Sequence, residues 1–258
     1  MKNLLLRLLT GTVVLAFIFF YYYGSVDAAA ITKTLDENTV LTPPGMIVAN
    51  LTEFKKGTVV TLNGNGEVIE GTLLRNTSLP VVGAAQDYYV SLITQYRAYY
   101  ILWPKVLEFK NETKVTFNNK GEVVKGTVAK GFGGGEVLFP LGQNSEILIK
   151  PFTEISFHEN GMIATCTIAF APLLRPVGWQ QNLSAGYTKN IACPGFIQFQ
   201  EETQVELNDK GEVIKGTLKN DTKLPSPDGS INVYSAGTMV EFNENGVVVK
   251  AVISKVKK

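Results

Sequence analysis

The stretch Thr203-Gln-Val-Glu-Leu-Asn-Asp-Lys-Gly-Glu-Val-Ile-Lys-Gly-Thr-Leu218 reads as a β-hairpin. Thr203, Val205 and Leu207 alternate with polar residues at the two-residue period of a half-buried strand, and Asn208-Asp-Lys-Gly211 supplies a turn with glycine where φ must be positive. A type I turn closed by a left-handed glycine sets Asn208 opposite Glu212 and Leu207 opposite Val213. Continuing that register predicts Val205 opposite Lys215 and Thr203 opposite Thr217. Variants of the stretch begin at Thr58, Thr113, Thr153 and Thr238, with Gly66, Gly121, Gly161 and Gly246 in the place of Gly211. Every copy obeys one rule, so the Asn and Gly residues are assigned to turn geometry rather than to a ligand. Leu62/Val68 and Phe117/Val123, with Thr58/Thr72 and Thr113/Thr127, are expected as cross-strand pairs worth ~0.2–1 kcal/mol each.

A shorter pattern, apolar-x-x-x-Thr-x-apolar, runs through Leu35/Thr39/Leu41, Phe54/Thr58/Val60 and Leu73/Thr77/Leu79. Thr39, Thr58 and Thr77 stand 19 residues apart, as do Thr203 and Thr222. A period near that length with a turn signal in each unit marks a repeat protein whose units bury their apolar faces on their neighbours. The expected fold is all-β: a repetitive antiparallel β-hairpin meander forming an elongated repeat sheet. A β-solenoid and a β-propeller are the alternatives, since four strands per larger repeat also suit a blade.

The units Asn118-Asn-Lys-Gly-Glu-Val-Val-Lys-Gly-Thr127 and Asn208-Asp-Lys-Gly-Glu-Val-Ile-Lys-Gly-Thr217 resemble the Asn-Gly-x-x-x-x-Gly rhythm of MORN-type repeats. The recurring Tyr-x-Gly and Trp positions of that family are absent. The resemblance implies a single-layer antiparallel repeat sheet over residues 31 to 253, no catalytic residue, and a role in attachment or scaffolding.

Two insertions interrupt the pattern. Residues 84–103 lack Gly and Pro and place Tyr88, Leu92, Tyr96, Tyr99 and Trp103 on one helical stripe, which predicts a helix ended by Pro104; the aromatic content also suits two strands. Residues 169–196 carry Pro172, Pro176, Trp179, Tyr187 and Pro194 and are flanked by the two cysteines, Cys166 and Cys193. A disulfide between them would close a 27-residue separation and contribute ~3 kcal/mol in the chain-entropy model; two unlinked buried thiols are the alternative. The glycine run at Gly131 to Gly135 lacks the Lys-Ser/Thr of a phosphate loop and reads as a bulged or flexible connection.

Residues 1–30 have the layout of an export signal, with Lys2 and Arg7 ahead of an apolar run from Leu8 to Tyr23 and the small residues Ala28-Ala-Ala30. Cleavage there leaves 31–258 as the repeat domain in the periplasm, at the cell surface or outside the cell, with no membrane span. An uncleaved anchor is the competing reading, for which the run is short of the ~20 residues a span needs. The formal charge of +1 across 258 residues leaves no basic excess for nucleic acid.

Chemistry-bearing residues are sparse. His158, the single histidine, replaces a turn asparagine and is expected to be solvated, without the orienting partner a catalytic base needs. Glu67, Glu122 and Glu212 repeat one turn position and read as a charged rim rather than a glycosidase pair. Neither two cysteines nor a turn with one acidic residue makes a metal site. The sequence therefore points to a non-enzymatic scaffold or binding protein of the cell envelope, without cofactor, whose partner is another protein or an envelope polysaccharide. The expected partner surface is aromatic: Tyr88, Tyr89, Tyr96, Tyr99, Tyr100 and Trp103, with Trp179, because tyrosine gives contact area at low entropic cost. The second reading is a polysaccharide- or peptide-processing enzyme with an unrecognised carboxylate site.

Overall fold

The computed structural model describes residues 30–45, 52–83, 106–130, 135–142, 145–181 and 195–253. The export-type segment up to residue 29, the aromatic insertion 84–103 with its predicted helix, and Cys193 lie outside them.

Eleven strands form one open antiparallel sheet: β1 (Ile31–Thr34), β4 (Val59–Leu62), β5 (Val68–Thr72), β8 (Lys114–Phe117), β9 (Val123–Thr127), β12 (Glu154–Phe157), β13 (Ile163–Thr167), β16 (Gln204–Leu207), β17 (Val213–Thr217), β20 (Thr238–Phe242) and β21 (Val248–Ile253). The expected hairpins are β4–β5, β8–β9, β12–β13, β16–β17 and β20–β21, and β1 supplies half of a sixth. Among the described residues β1 and β21 do not pair with each other, so the sheet is an open meander rather than a closed ring of blades.

Turn chemistry follows the sequence. Asn208 N–H donates to Glu212 C=O at 2.8 Å, and Gly211 N–H donates to Asn208 C=O at 3.0 Å with φ +78°. Beyond the turn the register differs from expectation. Leu207 does face Val213, but Glu206 faces Lys215, because Ile214 is the extra residue of a bulge. The same bulge shifts β8 against β9, so that Val115 faces Gly126 and the expected Thr113/Thr127 pair does not form. This slip puts Val205, Val213 and Gly216 together on the apolar face and Glu206 and Lys215 together on the polar one, as the one-face burial of the sheet requires.

The sheet is not a single layer. Between successive hairpins the chain leaves the sheet and returns through a short two-stranded excursion: β2 (Thr39–Leu41) with β3 (Thr52–Phe54), β6 (Thr77–Pro80) with β7 (Val106–Phe109), β10 (Val137–Gly142) with β11 (Ser145–Ile149), β14 (Leu173–Leu174) with β15 (Ile197–Gln198), and β18 (Thr222–Pro225) with β19 (Ile231–Tyr234). The two threonine patterns separate here. Thr58 Oγ1 donates to Lys55 C=O at 2.6 Å in the turn entering a sheet strand, whereas Thr77 Oγ1 donates to Arg75 C=O at 2.9 Å at the start of an excursion. Eleven strands with one apolar face need a cover, and the excursions supply it. Phe54, Phe109, Phe139, Leu141, Ile147, Ile149, Phe199 and Leu224 join Val60, Val115, Ile155, Val205 and Val240 of the sheet in one core.

Room for that cover is built into the strands. A Cβ on Gly71, Gly126 or Gly216 would lie 2.5, 2.6 or 2.7 Å from Cδ1 of Phe54, Phe109 or Phe199 respectively. Glycine leaves out the side chain so that the phenylalanine ring can rest on the backbone. In the third hairpin the equivalent positions hold Ile149, smaller than the phenylalanine it replaces, and Cys166, larger than the glycine it replaces, both fully buried.

Candidate functional site: a groove between two hairpin turns

The excursions before the last also reach the turns of the hairpins that follow them. Val81 makes a parallel bridge to Val123, and a Cβ on Gly161, in the next turn along, would sit 2.6 Å from the Val82 carbonyl oxygen. Pro176 bridges Val213 in the same way, and Gly178 packs against Asn245 and Gly246 of the last turn. The loop after β14 thereby holds the β16–β17 and β20–β21 turns apart and floors a groove of about 910 Å³. Gly178, Gln180 and Gln181 line its base, and Glu206, Asp209, Glu212, Glu241 and Glu244 bring carboxylates to its walls with Lys210 and Lys215.

Two of those carboxylates have structural duties. Glu212 accepts from Asn208 Nδ2 at 2.9 Å, and the same bond recurs as Asn118 to Glu122 at 2.8 Å and Asn63 to Glu67 at 2.7 Å, in turns remote from the groove. Glu206 is ion-paired with Lys215; with that partner's hydrogen bond as the largest cause, the Lys215 ammonium is held above its ordinary pKa. Glu122 and Glu212 are 3% and 7% exposed and Glu67 is half-buried, so the three residues expected as a charged rim are clasps inside their own turns. Glu122 Oε1 additionally accepts from Gly83 N–H at 3.1 Å, fastening an excursion to its turn. His158 is not solvated as expected: it is half-buried, and its Nε2 lies 2.8 Å from the Leu207 carbonyl oxygen, tying the third hairpin to the fourth. Among the described residues no group of three or more His, Cys, Asp or Glu is placed to hold a metal ion.

Trp179 lies beside the groove. Its ring packs on Gly195 and is covered by the Arg175 guanidinium at 4.1 Å, which also stacks on Phe196 at 4.5 Å. The tyrosines expected to share a surface with it, Tyr88, Tyr89, Tyr96, Tyr99 and Tyr100, fall outside the described residues with Trp103. Cys166 is a free thiol in the sheet core, and its expected partner Cys193 is also outside them.

On the opposite face of the sheet the register assembles a polar surface that local periodicity does not reveal. Thr32, Thr61, Glu70, Thr116, Lys125, Ser156, Thr165, Glu206, Lys215, Glu241 and Lys250 are consecutive cross-strand partners, one from each strand, and none is buried. Ten strand spacings make this row roughly 48 Å long. Ser156 and Thr165 share a hydroxyl hydrogen bond of 2.7 Å, and Glu70 pairs with Lys114 at 2.8 Å. Strict alternation along each strand was legible in advance, but which outward residues become neighbours depended on the bulges. Compared with known families and with curated proteins, the chain matches no family model and no curated protein.

Proposed function

We propose that this chain is an exported, non-catalytic repeat scaffold or binding protein of the cell envelope, whose outward sheet face holds a polysaccharide or protein partner. The observation that carries this reading is the unbroken row of hydroxyl, carboxylate and ammonium groups across eleven strands. Its charges alternate in sign from Glu206 to Lys250, so its field favours neither a polyanion nor a polycation, while its spacing repeats along one axis. A long, repetitive, hydroxyl-rich chain suits such a surface. The test is retention of the protein on isolated envelope polysaccharide: Thr116→Val with Thr165→Val should lower retention without changing thermal stability. Unchanged retention would remove the outer row from the binding surface.

A second reading, a polysaccharide- or peptide-processing enzyme, draws on the groove alone. Glu241 and Glu244 line it together with Asp209. Hydrolysis of envelope polymer that disappears in Glu241→Gln or Glu244→Gln would replace the scaffold with this reading.

A further inference from the structure

Among the described residues the last hairpin closes the sheet in the form of an interior hairpin, with no polar capping strand paired to it. In the four preceding hairpins the residue closing the second strand's junction is Leu73, Val128, Ile168 or Leu218, and each is fully buried. Each is sealed by the next strand's entry turn. Leu73 N–H donates to Thr113 C=O at 3.0 Å and its C=O accepts from Glu112 N–H at 2.9 Å, and Leu218 makes the same two bonds with Thr238 and Gly237 at 2.9 and 2.8 Å. Ile253 holds that position in β21, the last strand of the sheet, and is 71% exposed, with Val249 at 51% and Val252 at 46% beside it. Repeat arrays ordinarily finish in a polar capping unit, and an open apolar edge strand is a template for another strand.

The other end of the sheet is protected. β1 places Lys33 opposite Val60, in the inward row that holds Gly71, Gly126 and Gly216 elsewhere, and an inward-pointing charge on an edge strand discourages pairing.

We infer that β21 pairs with β21 of a second copy of this chain. Strand direction selects that occupant. With eleven antiparallel strands, β1 and β21 run the same way, so head-to-tail stacking with the two layers aligned would set β21 beside a parallel β1. Rotating a second copy by half a turn about the sheet normal keeps the apolar faces on one side and brings β21 against β21 antiparallel, an isologous contact that closes on itself. Centred on Ala251, it sets Ile253 across from Val249 of the other copy and makes one sheet of both molecules.

Sedimentation of the chain from about 1 to 100 μM, a range that reads a Kd near 10 μM, should show a monomer–dimer equilibrium. Hydrogen exchange at the Ala251 and Ile253 amides should slow in the dimer. Ile253→Lys should abolish both effects while leaving the melting temperature of the monomer unchanged, since that side chain is exposed, and Ile31→Lys on β1 should leave them intact. A chain monomeric throughout the range, or a dimer that survives Ile253→Lys and is lost in Ile31→Lys, overturns the inference.

Discussion

At Gly66 and Gly211 the backbone has the same φ of +78°, yet the two positions differ in what lies above them. Nothing stands within 4 Å of a Cβ on Gly66, whereas one on Gly211 would meet the Leu141 carbonyl oxygen at 2.4 Å. Gly66→Ala should therefore cost only the left-handed strain, about 1–2 kcal/mol. Gly211→Ala should cost about 2–5 kcal/mol, because overpacking adds a further 1–3; equal midpoints in urea would show that the wedge does not touch this turn. Cys166 offers a second measurement. Burial pushes its thiol from 9.0 up to about 12, so the folded protein keeps a proton that the unfolded chain releases above the ordinary thiol pKa. Folding stability should then fall as pH rises through that window, and more steeply than in Cys166→Ala. The native thiol should also resist alkylation at pH 8 until the chain is unfolded.

At the scale of the element, each excursion and its hairpin are matched by volume. The phenylalanine-over-glycine arrangement of Phe109 and Gly126 is replaced in the third hairpin by Ile149 and Cys166, with both positions still fully buried. Ile149→Phe alone should overfill the site and cost about 1–3 kcal/mol, and Cys166→Gly alone should leave a void and loosen the strand. The double variant restores the arrangement of its neighbours, so a double-mutant cycle should return a favourable coupling of about 1–3 kcal/mol. Strictly additive effects would mean that these two residues do not share one space. Ion pairs such as Lys114–Glu70 and Lys125–Glu154 are solvent-exposed and add little, ~0–1 kcal/mol each.

Across the whole molecule the wedges reach past the next hairpin to the one after it. The segment between β6 and β7 starts after the β4–β5 hairpin, yet Val81 bridges the β8–β9 turn and Val82 abuts the β12–β13 turn. A simple repeat array unfolds from its ends, one unit at a time. Here unfolding should be one transition, with circular dichroism and tryptophan fluorescence giving the same urea midpoint. Val81→Asp, which buries an unpaired charge at a site 1% exposed, should cost roughly 3 kcal/mol or more and speed hydrogen exchange in both β8–β9 and β12–β13. Faster exchange in β8–β9 alone would confine the wedge to its immediate neighbour.

Local sequence by itself determined the five sheet hairpins, their glycine-closed turns and the all-β class, because a two-residue apolar period and a positive-φ requirement act over a few residues. Asn208, Gly211, Leu207 and Val213 have their partners within the same turn, and their arrangement needed nothing else. What tertiary structure decided involves residues far apart in the chain. The bulge at Ile214 slid the register by one residue because the apolar face had to stay on one side. Alternate hairpins left the sheet because that face needed a cover, and Gly71, Gly126 and Gly216, within the strands, are the seats for its phenylalanine rings. The outward row and the groove follow from those two demands. They depend on the stacking of distant strands, and no local period encodes which polar residues from eleven strands will stand side by side.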